Sequence, residues 1–158
     1  MGILDFLKRP AFRDPVVGNL LRQGRYWRGQ ISLGSERDLP MLLAGSRAAP
    51  DEAGLGLARE LGPRYATLLP AIERALFEHH EPYSEAVASG EAGQLGEVPR
   101  LTSPEQVWGH ISLVRVLIEP LGGVDTVEIA YRTDWDTEHT LGARFQGWAL
   151  IELNGSVI

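Results

Sequence analysis

The chain has 158 residues, 44% of them hydrophobic and 23% charged, which is the make-up of one globular domain (residues 1–158) and not of a disordered segment. It contains no cysteine, so disulfide frameworks, thiolate metal ligands and thiol nucleophiles are excluded. A formal net charge of −6 repels a phosphate backbone on average, and no apolar run approaches a membrane span, so neither nucleic acid nor membrane is the expected partner.

The opening Met1-Gly2-Ile3-Leu4-Asp5-Phe6-Leu7-Lys8-Arg9-Pro10 carries its basic pair after a short apolar stretch, the reverse of a secretory signal, so a cytoplasmic protein is expected. Residues 1–10 read as a short amphipathic helix or lid stopped by Pro10. Lys8, Arg9, Arg13, Arg22, Arg25 and Arg28 make the first segment locally basic, as a solvated face does. Three strands are expected next. Val16–Leu21 is the first. Tyr26–Leu33 is the second, with Trp27, Ile31 and Leu33 on one parity and Gly29 between them; Leu39–Ala44 is the third.

The middle of the chain is helical. Pro50-Asp51-Glu52 starts a helix that Gly62-Pro63 is expected to end. A second carries Leu68, Leu69, Ile72, Ala75, Leu76 and His79 on one stripe and stops at Glu81-Pro82, with a short stretch from Tyr83 to Ala88 beyond. Residues 90–100 are polar and glycine-rich, a flexible loop. Ser103-Pro104 has helix-start chemistry ahead of Val107 and Trp108.

Four strands close the chain: Ser112–Glu119, Thr126–Thr133, Leu141–Gln146 and Trp148–Leu153, with Pro120-Leu121-Gly122-Gly123 and Gly147 as turns. Asn154-Gly155 reads as a further turn. The expected fold is α+β: an antiparallel sheet made of an N-terminal three-stranded and a C-terminal four-stranded meander, with central helices packed on one face. Strand–helix alternation of the parallel kind is not evident.

Chemistry is sparse. Gly54-Leu55-Gly56 has Arg59 where a dinucleotide fingerprint needs its third glycine, and no phosphate-binding loop is possible with Lys8 as the one lysine. His79 and His80 are neighbours on a helix and point about 100° apart, so they cannot share a metal ion. His110 suits a helix C-terminus. Trp27, Trp108, Trp135 and Trp148 read as mostly core.

The richest segment is Thr133-Asp134-Trp135-Asp136-Thr137-Glu138-His139. In an extended chain Asp134, Asp136 and Glu138 project to one side and offer the oxygens a hard cation needs, and a carboxylate could orient His139 as a base. An EF-hand is excluded, since His139 and Phe145 stand where the loop glycine and the bidentate acid belong. The alternative is a strand-connecting turn in which Asp134 or Asp136 binds backbone N–H groups, Trp135 plugs the core and His139 holds a carboxylate. Asp134, Trp135, Asp136, Glu138 and His139 are the candidate ligand or partner site, with no metal or other cofactor expected.

Three segments carry a family resemblance. Phe12–Leu20 with Tyr26-Trp27-Arg28-Gly29, the helix Leu69–Glu78, and Asp134-Trp135-Asp136-Thr137-Glu138-His139-Thr140-Leu141-Gly142 resemble an uncharacterised bacterial domain family. Its closing signature is Asp-Trp-Asp-x-Glu-His-Gly-Leu-Gly, and Thr140 stands here where that signature has glycine. The resemblance implies a small α+β domain similar to bacterial immunity or accessory proteins. With an acidic surface and no catalytic motif, the expected activity is non-catalytic binding of another protein. The alternatives are a metal-dependent enzyme or metal-binding domain using residues 134–139, and a structural subunit that associates with itself.

Overall fold

The computed structural model describes residues 9–91 and 97–157. Eight strands form one sheet in chain order: β1 Ala11–Asp14, β2 Gly18–Gln23, β3 Tyr26–Leu33, β4 Glu36–Ala44, β5 Ile111–Leu121, β6 Val124–Thr133, β7 Thr140–Gln146 and β8 Ala149–Val157. Every neighbouring pair is antiparallel except β4 and β5, which run parallel. The two expected meanders are therefore one continuous sheet. A parallel pair needs a crossover, and the helix α1, Glu52–Ala88, supplies most of it. The α+β class stands, with one strand–helix–strand crossover that the sequence reading did not include.

β3 and β4 fall where the alternation places them. The first strand does not: Val16 and Val17 lie in the β1–β2 turn, and the short β1 precedes it. Only Phe12 among its four residues is a large apolar side chain, too little for a period-two signal. Pro120 and Leu121 belong to β5, leaving Gly122-Gly123 as the turn. Asn154-Gly155 is inside β8 and is not a turn. Trp148 sits in the β7–β8 turn with φ 62°, beside Gly147 at 55°, the paired positive values of a tight hairpin. A tryptophan holds this position because α1 secures it: its indole N–H donates to Glu60 at 3.3 Å, and the Arg64 guanidinium lies over its ring.

The central helices are a single helix. α1 runs 37 residues, about 55 Å, and continues past Pro63, Pro70 and Pro82. Each proline comes two residues after a buried one (Leu61, Leu68 and His80), which places it about 200° round the helix, on the exposed face. The carbonyls that lose a partner, those of Arg59, Ala66 and Glu78, thereby face the solvent side, where hydration replaces the missing bond.

The packed stripe, Leu55, Leu61, Tyr65, Leu68, Ile72 and Leu76 among others, lies on one face of the sheet, against Trp27, Met41, Leu43, Ile118, Ile129 and Phe145. It ends on His80, not on His79; three or four residues beyond Leu76 both satisfy the helical period. Near the other end, Asp14 accepts the Val16 and Val17 N–H groups at 2.9 Å each and the Arg59 guanidinium of α1 at 2.5 and 2.9 Å. One buried carboxylate thus builds the β1–β2 turn and ties it to the helix.

Of the expected N-terminal helix or lid, residues 1–8 lie outside the described residues, as do 92–96 of the expected loop; Glu97–Arg100 has no regular structure. A short 3₁₀ helix, Pro104–His110, follows. Pro104 opens it as expected, but the Ser103 side chain makes no capping bond.

Candidate functional site

Residues 134–139 connect β6 to β7. The chain turns at once instead of staying extended, so Asp134, Asp136 and Glu138 do not share a side. Trp135 and Asp136 point in, only 3% and 6% exposed; Asp134, Thr137, Glu138 and His139 face solvent.

Asp136 is the centre of the turn. Its N–H donates to Thr133 Oγ1 at 3.1 Å. Its carboxylate accepts the His139 backbone N–H at 3.2 Å, the His139 Nδ1–H at 2.9 and 3.0 Å, and the Tyr83 hydroxyl of α1 at 2.8 Å. Burial pushes the Asp136 carboxyl up, but the bonds from His139 and Tyr83 outweigh it and hold the group below its ordinary value. Tyr83 responds in the opposite sense: burial first, then the carboxylate it binds, pushes its hydroxyl up to about 12.

Trp135 is gripped from two sides by α1. Its indole N–H donates to His79 Nδ1 at 3.0 Å, and its ring meets His80 edge-on at 5.3 Å. His79 Nε2 lies 4.0 Å from Asp136 Oδ2. Burial lowers His79 below the usual imidazole range despite that carboxylate. His80 turns the other way and pairs its Nε2 with the Pro99 carbonyl at 2.7 Å, pinning the returning chain. The adjacent histidines diverge, as their helical spacing requires.

Asp134 closes the turn's other side. Its N–H donates to the His110 carbonyl at 2.9 Å, and its carboxylate faces His110 Nδ1 at 3.1 Å. His110 therefore meets a carboxylate, where a bond to the helix end was expected.

The turn lines an open hollow of about 580 Å³ whose walls include Asp134, Asp136, Glu138, His139, Ser112 and Arg132. With Nδ1–H on Asp136, His139 keeps Nε2 as a proton acceptor, the arrangement of an oriented base. No serine or threonine hydroxyl among the described residues is hydrogen-bonded to it, and no three His, Asp or Glu side chains among those residues are grouped to hold a metal ion. The sequence reading found the turn but not its partners. His79 and Tyr83 are one helical turn apart on α1, and that spacing was the available signal.

Of the tryptophans, Trp27 and Trp135 are core, whereas Trp108 and Trp148 are half-buried. No helix among the described residues is long and apolar enough to cross a membrane.

A single sheet crossed on one face by one long helix, with a histidine–carboxylate turn locked to that helix, defines a two-layer α+β domain. Residues 16–157 match the family model described as Domain of unknown function (DUF6985), and the chain belongs to that family. No curated protein and no solved structure matches the chain.

Proposed function

We propose that this chain is a non-catalytic protein-binding module of the bacterial cytoplasm, similar in role to an immunity or accessory protein. The observation that carries this reading is the sheet face turned away from α1. Strand register sets Leu21, Arg28, Leu42, Leu117, Glu128, Arg144 and Glu152 in one row across seven strands. Among the described residues no second layer covers it. Leu42 and Leu117 form a half-buried apolar centre, with exposed Arg28 on one side and the Glu128–Arg144–Glu152 charges on the other. An apolar centre inside a charged rim is the anatomy of a protein interface.

The candidate turn supports the same reading from the other direction. Asp134, Trp135, Asp136, His79 and His110 are engaged in bonds that join β6–β7 to α1 and the 3₁₀ helix, which is architectural work. Glu138 and the outer edge of His139 remain as a polar rim for a partner.

Affinity capture from the native host, followed by sedimentation of the complex, tests the proposal. A stoichiometric partner released by Leu42→Arg or Leu117→Arg is expected. Capture of no stoichiometric partner, together with a monomer at high concentration, overturns it; a second copy of the chain as the captured species favours the self-associating subunit instead.

A further inference from the structure

The parallel pair in the sheet leaves an opening. β4 and β5 are joined only through Met41–Val116, Leu42–Leu117 and Leu43–Ile118. Towards their N-terminal ends the strands part, and the gap holds a cavity of about 480 Å³, the size of a small-ligand site. α1 supplies Tyr65 and Glu73 to it, the β3–β4 hairpin Glu36, β6 Tyr131 and the 3₁₀ helix Trp108.

Its chemistry is uniform. The charged lining groups, Glu36 and Glu73, are carboxylates, and no lysine or arginine lines the cavity. Three aromatic rings flank them. The Trp108 indole N–H donates to Glu73 Oε1, and its ring meets Tyr131 edge-on at 6.3 Å, so the wall is held rigid. The Tyr65 and Tyr131 hydroxyls lie 2.9 Å apart, both residues at least nine-tenths buried. One bond between two hydroxyls uses one hydrogen. The other has no acceptor among the described residues, and both side chains line the cavity.

We infer that this cavity binds an arginine residue, whose guanidinium lies against Trp108 between Glu36 and Glu73 and whose carbonyl accepts the spare tyrosine hydrogen. A planar, always-charged cation with several donors suits both a ring face and two carboxylates better than an ammonium does. The cavity lining shares no residue with the proposed partner surface, so either can fail alone.

Calorimetry with acetyl-arginine amide, free L-arginine and the neutral isostere acetyl-citrulline amide tests the assignment. The arginine amide is expected to bind at least about tenfold more tightly than the citrulline analogue. Glu36→Gln, at an exposed strand end, and Glu73→Gln, which keeps an acceptor for Trp108, are each expected to weaken it about tenfold without lowering the melting temperature. Equal binding of free arginine supports a small-molecule ligand, and binding of the amide alone supports an arginine within a polypeptide. No heat with either arginine compound at about 10 mM, or equal affinity for citrulline, overturns the inference.

Discussion

The Trp135 indole N–H donates to His79 Nδ1 at 3.0 Å, and this bond sets the tautomer of the histidine. An indole nitrogen can only donate, so Nδ1 must carry its lone pair, and the ring proton sits on Nε2, towards Asp136. Protonating Nδ1 would set two donors head to head inside a half-buried contact.

A pH dependence follows. Folding lowers the His79 value below 6.5, chiefly through burial. The neutral form is the one folding favours, so the stabilisation is complete above about pH 6.5 and is lost as pH falls through the folded-state value. The melting temperature is expected to drop between about pH 7 and pH 5, with a shift in tryptophan emission. His79→Asn keeps an acceptor without a titrating ring and should flatten that stretch of the profile. Identical profiles for the two proteins would refute the assignment.

Asp14 gives the opposite window at the acid end. The Arg59 guanidinium, with the Val17 and Val16 N–H groups, holds its carboxyl at about 2 against a normal 3.8. Its stabilisation is therefore complete above about pH 4 and disappears as pH falls towards 2. Asp14→Asn retains acceptors for the turn and should cost about 1 kcal/mol; Asp14→Ala loses turn and ion pair together and should cost about 2–3 kcal/mol. Urea denaturation at pH 7 and pH 2.5 measures both, and the wild-type advantage over Asp14→Asn should shrink at the lower pH.

Residues that face one way were legible, and residues that act at a distance were not. β3 could be read because Trp27 and Leu33 are buried on one parity while Arg28 and Gln30 are exposed on the other. β6 was found by its length of β-formers, but its alternation misleads: Thr126, Glu128 and Ala130 are buried along with Val127, Ile129 and Tyr131, because Arg144 and neighbouring side chains cover the outer face. The turn at 134–139 announced itself by composition. Its partners His110, Tyr83 and His79 stand 24, 53 and 56 residues away, and no local pattern reports a contact of that span.

Pro63 and Pro82 do not end helices, as residue type alone suggests, because all three prolines of α1 lie on its exposed face. Their cost in α1 is limited to lost helical bonds on the exposed side and is not structural. Pro70→Ala should restore the Ala66 carbonyl's helical bond and raise stability by about 1–2 kcal/mol, net of the flexibility it returns to the unfolded chain. Proline introduced at buried Leu68 should instead prevent folding. Thermal denaturation of Pro63→Ala, Pro70→Ala and Pro82→Ala separately tests whether each shares the effect; a loss of stability at all three would mean that the prolines stabilise the helix by restricting the unfolded chain.

Glu128 poses a sharper question, since a carboxylate 5% exposed needs a reason to be charged there. Arg144, its register neighbour on β7, supplies it through Nε at 2.6 Å and reaches on to Glu152 of β8 through Nη1 at 2.7 Å. The ladder joins β6, β7 and β8 through their side chains. Because one member lies under the others, the pair should behave as a buried one: Arg144→Ala strands Glu128 and should cost about 3 kcal/mol, whereas Glu152→Ala, at the exposed end, should cost less than about 1 kcal/mol. The double change Glu128→Leu with Arg144→Leu removes both charges and should recover most of the loss, since desolvating an ion pair offsets much of its attraction. If the double variant instead loses as much stability as Arg144→Ala, the ladder stabilises the fold outright. If it recovers stability but releases a captured partner, the ladder is retained for recognition, and the charged half of the outer face belongs to the interface.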